Sequence, residues 1–330
     1  MVRRAVIPGP RRVALEGIPD PEEPGPGEVL LKPLSVGICG SDVHVYEGHH
    51  PFVRYPVYPG HEVVGRVVAV GSGVEASWLG ALAVLEPSLF CGRCRPCRLG
   101  RYNVCENLRV MGFQAPGALG EVFRVAADRL HRFPKGPPPE LGALVEPLAV
   151  AVHGLRMVEV RGLEVGVFGG GTIGLLAAQV ARAYGAARVE VVEPMAFRRN
   201  LAQNLGLEAV AQPSGPYQVA VEAVGAEGSL EGALHSLRKG GEIVVLGVFG
   251  GPVRFAAHLV QDWELVVRGS LMYTFQDFQE AIRLLTQAQV EVAPLVTHRF
   301  PLSRVEDAFR KALDREGALK VLVLAEEGHA

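Results

Sequence analysis

Lysine is nearly missing from this chain: of its 33 basic residues only five are lysine, and the remaining 28 are arginine. Asparagine is scarce as well. Arginine in place of lysine is not a general mark of heat adaptation, so the bias fits a GC-rich genome equally well. Long apolar runs are also missing, none reaching the roughly 18 residues that a bilayer-spanning helix needs. Behind Met1-Val2-Arg3-Arg4 there is neither an extended apolar stretch nor a small-residue cleavage site. Nor is there an excess of either charge: 35 acidic residues leave a net charge of −2, too little to draw the chain to nucleic acid or an anionic membrane. Together these absences argue against secretion, membrane insertion and nucleic-acid binding, and the expectation is a cytoplasmic protein. What is present is a 48% hydrophobic chain of 330 residues, enough for about two cored domains. With 40 glycines and 24 prolines, it should make many tight turns between short elements.

Cysteine is sparse but concentrated. Four of the five form Cys91-x2-Cys94-x2-Cys97-x7-Cys105. In a reducing compartment, clustered thiols bind metal rather than pair with each other. Four thiolates suit the closed tetrahedral shell of structural zinc. The loop is rich in Gly, Pro and Arg, too irregular for helix or strand, so an ion would supply its order. An iron–sulfur cluster also takes four thiolates, though the last gap of seven does not match the ferredoxin run. The surrounding Arg93, Arg95, Arg98 and Arg101 allow a nucleic-acid module, against which stand the balanced charge and the absence of interleaved aromatics.

The fifth cysteine lies in Gly37-Ile38-Cys39-Gly40-Ser41-Asp42-Val43-His44, and some twenty residues later comes Pro59-Gly60-His61-Glu62. A lone Cys is most often a small buried hydrophobe. Here a thiol, an imidazole and a carboxylate each sit at a Gly-bounded bend beside an apolar run, a set that could leave an open position on a catalytic zinc.

Val165-Gly166-Val167-Phe168 reads as a buried strand running into Gly169-Gly170-Gly171-Thr172-Ile173-Gly174 and then a helical stretch, Leu175 to Tyr184. This is G-x-G-x-x-G between strand and helix: a tight turn, a close backbone approach to a pyrophosphate, and close helix packing. The helix N-terminus adds free N–H groups and a positive dipole end. The next strand, Arg188 onward, ends in Glu193, where a carboxylate would meet the adenosine ribose hydroxyls. Glu193 would repel a 2′-phosphate, which favours NAD over NADP; Arg198 and Arg199 soften that preference. Strand and helix keep alternating, with strands expected over Tyr217–Val221, Glu242–Gly247 and Asp262–Arg268 and helices over Ser229–Leu237 and Phe275–Ala288, as in a doubly wound parallel sheet.

These motifs occur in the order found in the zinc-containing medium-chain dehydrogenases, and the chain resembles their polyol (sorbitol) and threonine dehydrogenase branch over nearly its whole length. The carriers are the Gly37–His44 segment, Gly60-His61-Glu62, the cysteine lobe, Leu144-Val145-Glu146-Pro147-Leu148-Ala149 and the Gly169–Gly174 turn. The resemblance implies an α/β fold with a GroES-like β-rich catalytic domain over 1–147, completed by 276–330. A doubly wound Rossmann domain would cover 148–275, with the active site in the cleft. It implies Cys39, His61 and Glu62 as catalytic zinc ligands, with Glu146 approaching or exchanging, and Cys91, Cys94, Cys97 and Cys105 on a second, structural zinc, two ions per chain.

By the same likeness Ser41 and His44 would form a proton relay, and Gly169, Gly171, Thr172, Ile173, Gly174, Glu193 and Arg198 would contact the cofactor. The implied assembly is a homodimer or homotetramer. The simple-alcohol branch uses a second cysteine on the catalytic ion, and this chain has none to spare. One departure is Gly80-Ala81-Leu82-Ala83-Val84, where most members carry Gly-Asp-Arg-Val.

The implied reaction is hydride transfer between a secondary alcohol and NAD, the substrate being a polyol, a sugar acid or L-threonine. Val45 to Pro56 looks most like members acting on sugar acids and related polyols. Within it Arg54 or His49 could meet a carboxylate, against the plainer reading of Arg54 as a surface residue. The alternative from another class is a regulatory protein that binds zinc and dinucleotide without turnover, but such a binder has no need of an open metal position.

Overall fold

The computed structural model describes residues 1–325. The chain divides into two compact units, Met1–Glu146 with the segment from Val296 onward, and Pro147–Leu295.

The first unit is built on a seven-stranded sheet. Its main path runs Val296–Pro301, Lys320–Leu324, Glu28–Ile38, Glu62–Val70, Leu82–Leu85 and Leu130–Arg132, and Phe123–Ala126 also pairs with Glu28–Ile38. Only the first two strands of the path are parallel; the other pairings are antiparallel. Period-two alternation sends Val321 and Val323 into one core with Val29, Leu31, Val36, Val63 and Val67. The helix Val305–Ala312 adds Val305, Ala308 and Phe309, one apolar stripe at helical spacing. Phe309 in turn packs on Tyr46, ring centroids 5.6 Å apart, and so seats the helix Gly40–Glu47. Ala83 and Val84, at the end of the segment Gly80–Val84 that lacks the family's charged pair, lie fully buried in the strand Leu82–Leu85.

The second unit carries six parallel strands in the order Glu208–Val210, Arg188–Val192, Glu164–Phe168, Tyr217–Glu222, Leu237–Val245, Val266–Gly269. Numbered along the chain this is 3-2-1-4-5-6, the doubly wound order. The order reverses between Glu164–Phe168 and Tyr217–Glu222, and ligands of such sheets bind outside the carboxyl ends at that point.

Three expectations are revised. The helix Phe275–Thr286 belongs to the second unit, so the return to the first begins at Val296, not near residue 276. Buried Asp277 holds it there, accepting 2.8 Å bonds from His153 and Arg156, while the Gln179 amide bridges the backbone of Glu291 in both directions. Asp262 ends a short helix, Ala257–Asp262, and the strand starts only at Val266, after Glu264 at φ 53°. The cysteine loop contains one helical turn, Arg95–Arg98. No helix among the described residues is long and apolar enough to cross a membrane.

Candidate functional site

Cys39 ends the strand Glu28–Ile38 and caps the helix Gly40–Glu47; its backbone N–H donates to Asp42 Oδ2 at 2.9 Å. His61 immediately precedes the adjacent strand and Glu62 opens it; both are buried. One donor atom from each of Cys39, His61 and Glu62 lies within 4.8 Å of the others. Behind them, Asp42 Oδ1 stands 3.6 Å from His61 Nδ1, and neither buried atom has a hydrogen bond. A carboxylate backing an imidazole is the usual setting of a metal-ligating histidine. Burial alone would lower His61; the charges of Asp42 and the hydrogen bond and charge of Cys39 outweigh it and hold the imidazole well above its ordinary value. A thiol, an imidazole and a carboxylate converging in an anionic setting suit zinc with one position left open.

Lys320, which sequence reasoning missed, completes this arrangement. Its ammonium is buried and lies 2.7 Å from each oxygen of Glu62 and 3.3 Å from the carbonyl of Ile38. The two residues come from strands on either side of Glu28–Ile38, where Gly37 pairs with both Leu322 and Glu62. A Cβ on Gly37 would fall 2.0 Å from Glu62 Oε2, so the absent side chain gives the carboxylate its path to the lysine. A signal for Lys320 did exist: one of five lysines, opening the apolar run Lys320-Val321-Leu322-Val323-Leu324.

Glu146 is buried in the first turn of the helix Val145–Leu155. It stands outside the three converging donors, yet its charge helps to raise both His61 and Lys320. Ser41 and His44 sit three residues apart on the helix capped by Cys39, hence on one face. Phe113 covers His61 with ring centroids 4.8 Å apart, and His50 stacks on Phe113 at 5.0 Å.

The four clustered cysteines also converge. Cys94 Sγ lies 3.3 Å from Cys97 Sγ and 3.8 Å from Cys105 Sγ, against the roughly 3.8 Å edge of a tetrahedron with Zn–S bonds near 2.3 Å. Backbone N–H groups of Cys91, Cys94 and Asn107 donate to these sulfurs. Hydrogen bonds from the Arg93 and Cys94 backbone bring Cys91 down to about 6, while burial and its sulfur neighbours push Cys97 up to about 12. Four crowded thiols ionise together only with a cation among them. The lobe is tied down by Tyr102, whose hydroxyl donates to buried Glu86 at 2.7 Å, and the other Glu86 oxygen meets His131 at 2.7 Å.

In the second unit the glycine turn sits at the carboxyl end of Glu164–Phe168, at the switch point of the sheet. A Cβ on Gly174 would fall 1.9 Å from the Gly169 carbonyl oxygen, so helix and turn touch through backbone. A Cβ on Gly171 would meet open space, the room a pyrophosphate needs beside the first turn of Thr172–Ala183, where Thr172 and Ile173 lie. Buried Glu193 braces the turn, accepting from Gly170 N and Met195 N at 2.8 Å each. Each oxygen keeps a second lone pair. Arg199 is committed to the carbonyls of Glu193 and Pro194, whereas Arg198 approaches Glu193 only to 3.9 Å and leaves its buried Nε without a partner.

Residues 25–135 match the family model of the alcohol dehydrogenase GroES-like domain, and 172–287 that of the zinc-binding dehydrogenases. The L-threonine 3-dehydrogenase of Pyrococcus furiosus is 35% identical over 310 residues, 88% of this chain and 89% of the relative. The chain belongs to the zinc-containing medium-chain dehydrogenases, in their polyol and threonine branch. The probable D-xylulose reductase A of Aspergillus clavatus is 34% identical over 345 residues, covering 96% and 95% of the two chains. Among solved structures, one from Escherichia coli CFT073, described as a short chain alcohol dehydrogenase complexed with NADH, superposes with a TM-score of 0.91 at 28% identity, covering 98% and 99%. The protein is thus a zinc-dependent dehydrogenase of the polyol and threonine type, with a GroES-like unit and a Rossmann unit.

Proposed function

We propose that the protein oxidises a secondary alcohol of the polyol, sugar-acid or L-threonine type with NAD, through Cys39, His61 and Glu62 as ligands of a catalytic zinc. The observation that carries this is the convergence of those three donors within 4.8 Å. When bound, zinc supplies the Lewis acidity that brings an alcohol's pKa toward neutrality, and nicotinamide supplies the hydride acceptor. Asp42 orients His61, and Lys320 holds Glu62 in position at the site. Glu146 is the second carboxylate that can exchange with Glu62. Ser41 takes the proton of the substrate hydroxyl while giving up its own toward His44, which passes a proton outward to solvent. Gly169, Gly171, Thr172, Ile173 and Gly174 cradle the pyrophosphate. Glu193 accepts from the adenosine ribose hydroxyls and opposes a 2′-phosphate, so NAD is the cofactor and NADP the weaker one, with Arg198 at the rim.

The four-cysteine lobe holds the second zinc, giving two per chain. A homodimer or homotetramer is supported by the open edge of the parallel sheet, where Val266 and Val267 are exposed in the terminal strand. Metal-type cysteine spacing supports a reducing, cytoplasmic setting.

The test is metal content together with NADH formation over polyols, sugar acids, L-threonine and simple secondary alcohols, in the wild type and in Cys39→Ser. The expected result is turnover of one class with two zinc ions per chain, and loss of both turnover and one ion in the variant. A single zinc in the wild type would sink the three-donor site.

A further inference from the structure

Residues 48–60, between the helix Gly40–Glu47 and His61, supply none of the three converging donors, yet they build a second feature beside them. A cleft of about 400 Å³ is lined by residues including Phe52, Arg54, Tyr58, Phe113, Gln114 and Pro116. Phe113 is shared: its ring covers His61 and also forms part of the cleft wall. One aromatic ring therefore borders both the donor group and the cleft.

Among the described residues, Arg54 is the only charged one lining the cleft, and no carboxylate lines it. Arg54 is exposed in the cleft, and among the described residues no carboxylate pairs with it. The backbone that carries it is held from both sides. Gln114 Nε2 donates to the Phe52 carbonyl at 3.2 Å, and the Tyr55 hydroxyl donates to the Val45 carbonyl. His50 stacks on Phe113 with 19° between the rings. An unpaired guanidinium on a braced loop, in a cleft without competing anions, suits two-pronged recognition of a carboxylate or phosphate.

We propose that this cleft takes the anionic terminus of a polyhydroxylated substrate, a carboxylate or a phosphate, with Arg54 as its counter-ion. This rests on the dehydrogenase reading, and it narrows the substrate from polyols at large to those carrying a terminal anion. A neutral polyol leaves Arg54 to water, so the preference is one of binding, expressed in KM more than in kcat.

The test uses matched six-carbon ligands: sorbitol, gluconate and sorbitol 6-phosphate, with galactitol, galactonate and galactitol 6-phosphate. Binding is followed by calorimetry on the zinc-loaded enzyme with NADH, and turnover by NADH formation. At least one anion should bind about tenfold tighter than its neutral counterpart, the scale of a charge-assisted hydrogen-bonded contact. That ratio should collapse toward one in Arg54→Gln and survive in part in Arg54→Lys. Whether the aldonate or the phosphate carries the gap identifies the anion. Equal binding of neutral and anionic members, a gap unchanged in Arg54→Gln, or no binding of any anion at millimolar concentration overturns the proposal. An Arg54-dependent gap without turnover would leave the cleft standing and sink the dehydrogenase chemistry; turnover of neutral polyols without a gap would do the reverse.

Discussion

Lys320 and Glu62 stand 258 residues apart in the chain, yet both oxygens of the carboxylate lie 2.7 Å from the ammonium, fully buried across the strand Glu28–Ile38. A carboxylate so placed is paired inside an apolar sheet and held in position by the lysine. Lys320→Met should therefore strand a buried charge and lower the stability of the metal-free protein by about 3–5 kcal/mol. Saturating zinc should recover part of that loss, because a dication on Glu62 replaces the missing one. Urea unfolding with and without zinc measures both. A loss under about 1 kcal/mol, as for a surface pair, would show that the lysine does not hold the site.

The two glycines of the dinucleotide turn should separate folding from binding. At Gly174 an added Cβ would meet the Gly169 carbonyl oxygen at 1.9 Å, whereas at Gly171 it would meet open space. Gly174→Ala should cost about 1–3 kcal/mol in overpacking and lose cofactor binding as well. Gly171→Ala should melt within a degree or two of the wild type but bind NADH much more weakly, because the added methyl takes the room of the pyrophosphate. Thermal unfolding and NADH fluorescence read the two effects. Unweakened NADH binding in Gly171→Ala would place the phosphates elsewhere.

The contrast between those glycines and Lys320 marks how far the sequence could be read. Gly169 to Gly174 and Cys91 to Cys105 are local patterns whose spacing is itself the chemical requirement, while Cys39, His61 and Glu62 were legible through their residue types at Gly-bounded bends and the family resemblance; both donor sets converge in the fold. Glu62 with Lys320 depends on the register of three strands, with Gly37 opposite both Glu62 and Leu322, and no spacing encodes that. The helix Phe275–Thr286 shows the same limit: its place in the second unit rests on Asp277 meeting His153 and Arg156, more than 120 residues back. Glu193 was legible as a carboxylate at a strand end, but not its grip on Gly170 N, which comes from side-chain packing against the turn.

The cysteine lobe should behave as a metal-ordered module on a stable platform. Cys97→Ser should remove one zinc per chain and expose Cys91–Cys105 to protease while the ion at Cys39 is retained. Tyr102 and Glu86 keep the base of the lobe attached through their 2.7 Å bond, so cleavage should fall within the lobe rather than spread into the sheet. Limited proteolysis with mass spectrometry, alongside metal analysis, checks this. Loss of both ions would mean that lobe and catalytic site fold as one unit.

At alkaline pH, the second unit should weaken through Tyr217. Burial and its hydrogen bond to Glu190 raise the phenol from an ordinary value of 10.0 to about 12. The folded state thus holds the proton more tightly than the unfolded chain does. That contribution is fully present below about pH 10 and is lost as pH rises through about 12. Tyr184, raised to about 12 by burial and Glu280, acts in the same direction. Wild-type stability should therefore fall through this window, and Tyr217→Phe should fall less steeply from a lower starting value, since Glu190 loses one of its donors. Urea unfolding from pH 8 upward, with ultraviolet titration of the tyrosines, measures both. Identical slopes in the two proteins would mean that Tyr217 ionises at its ordinary value.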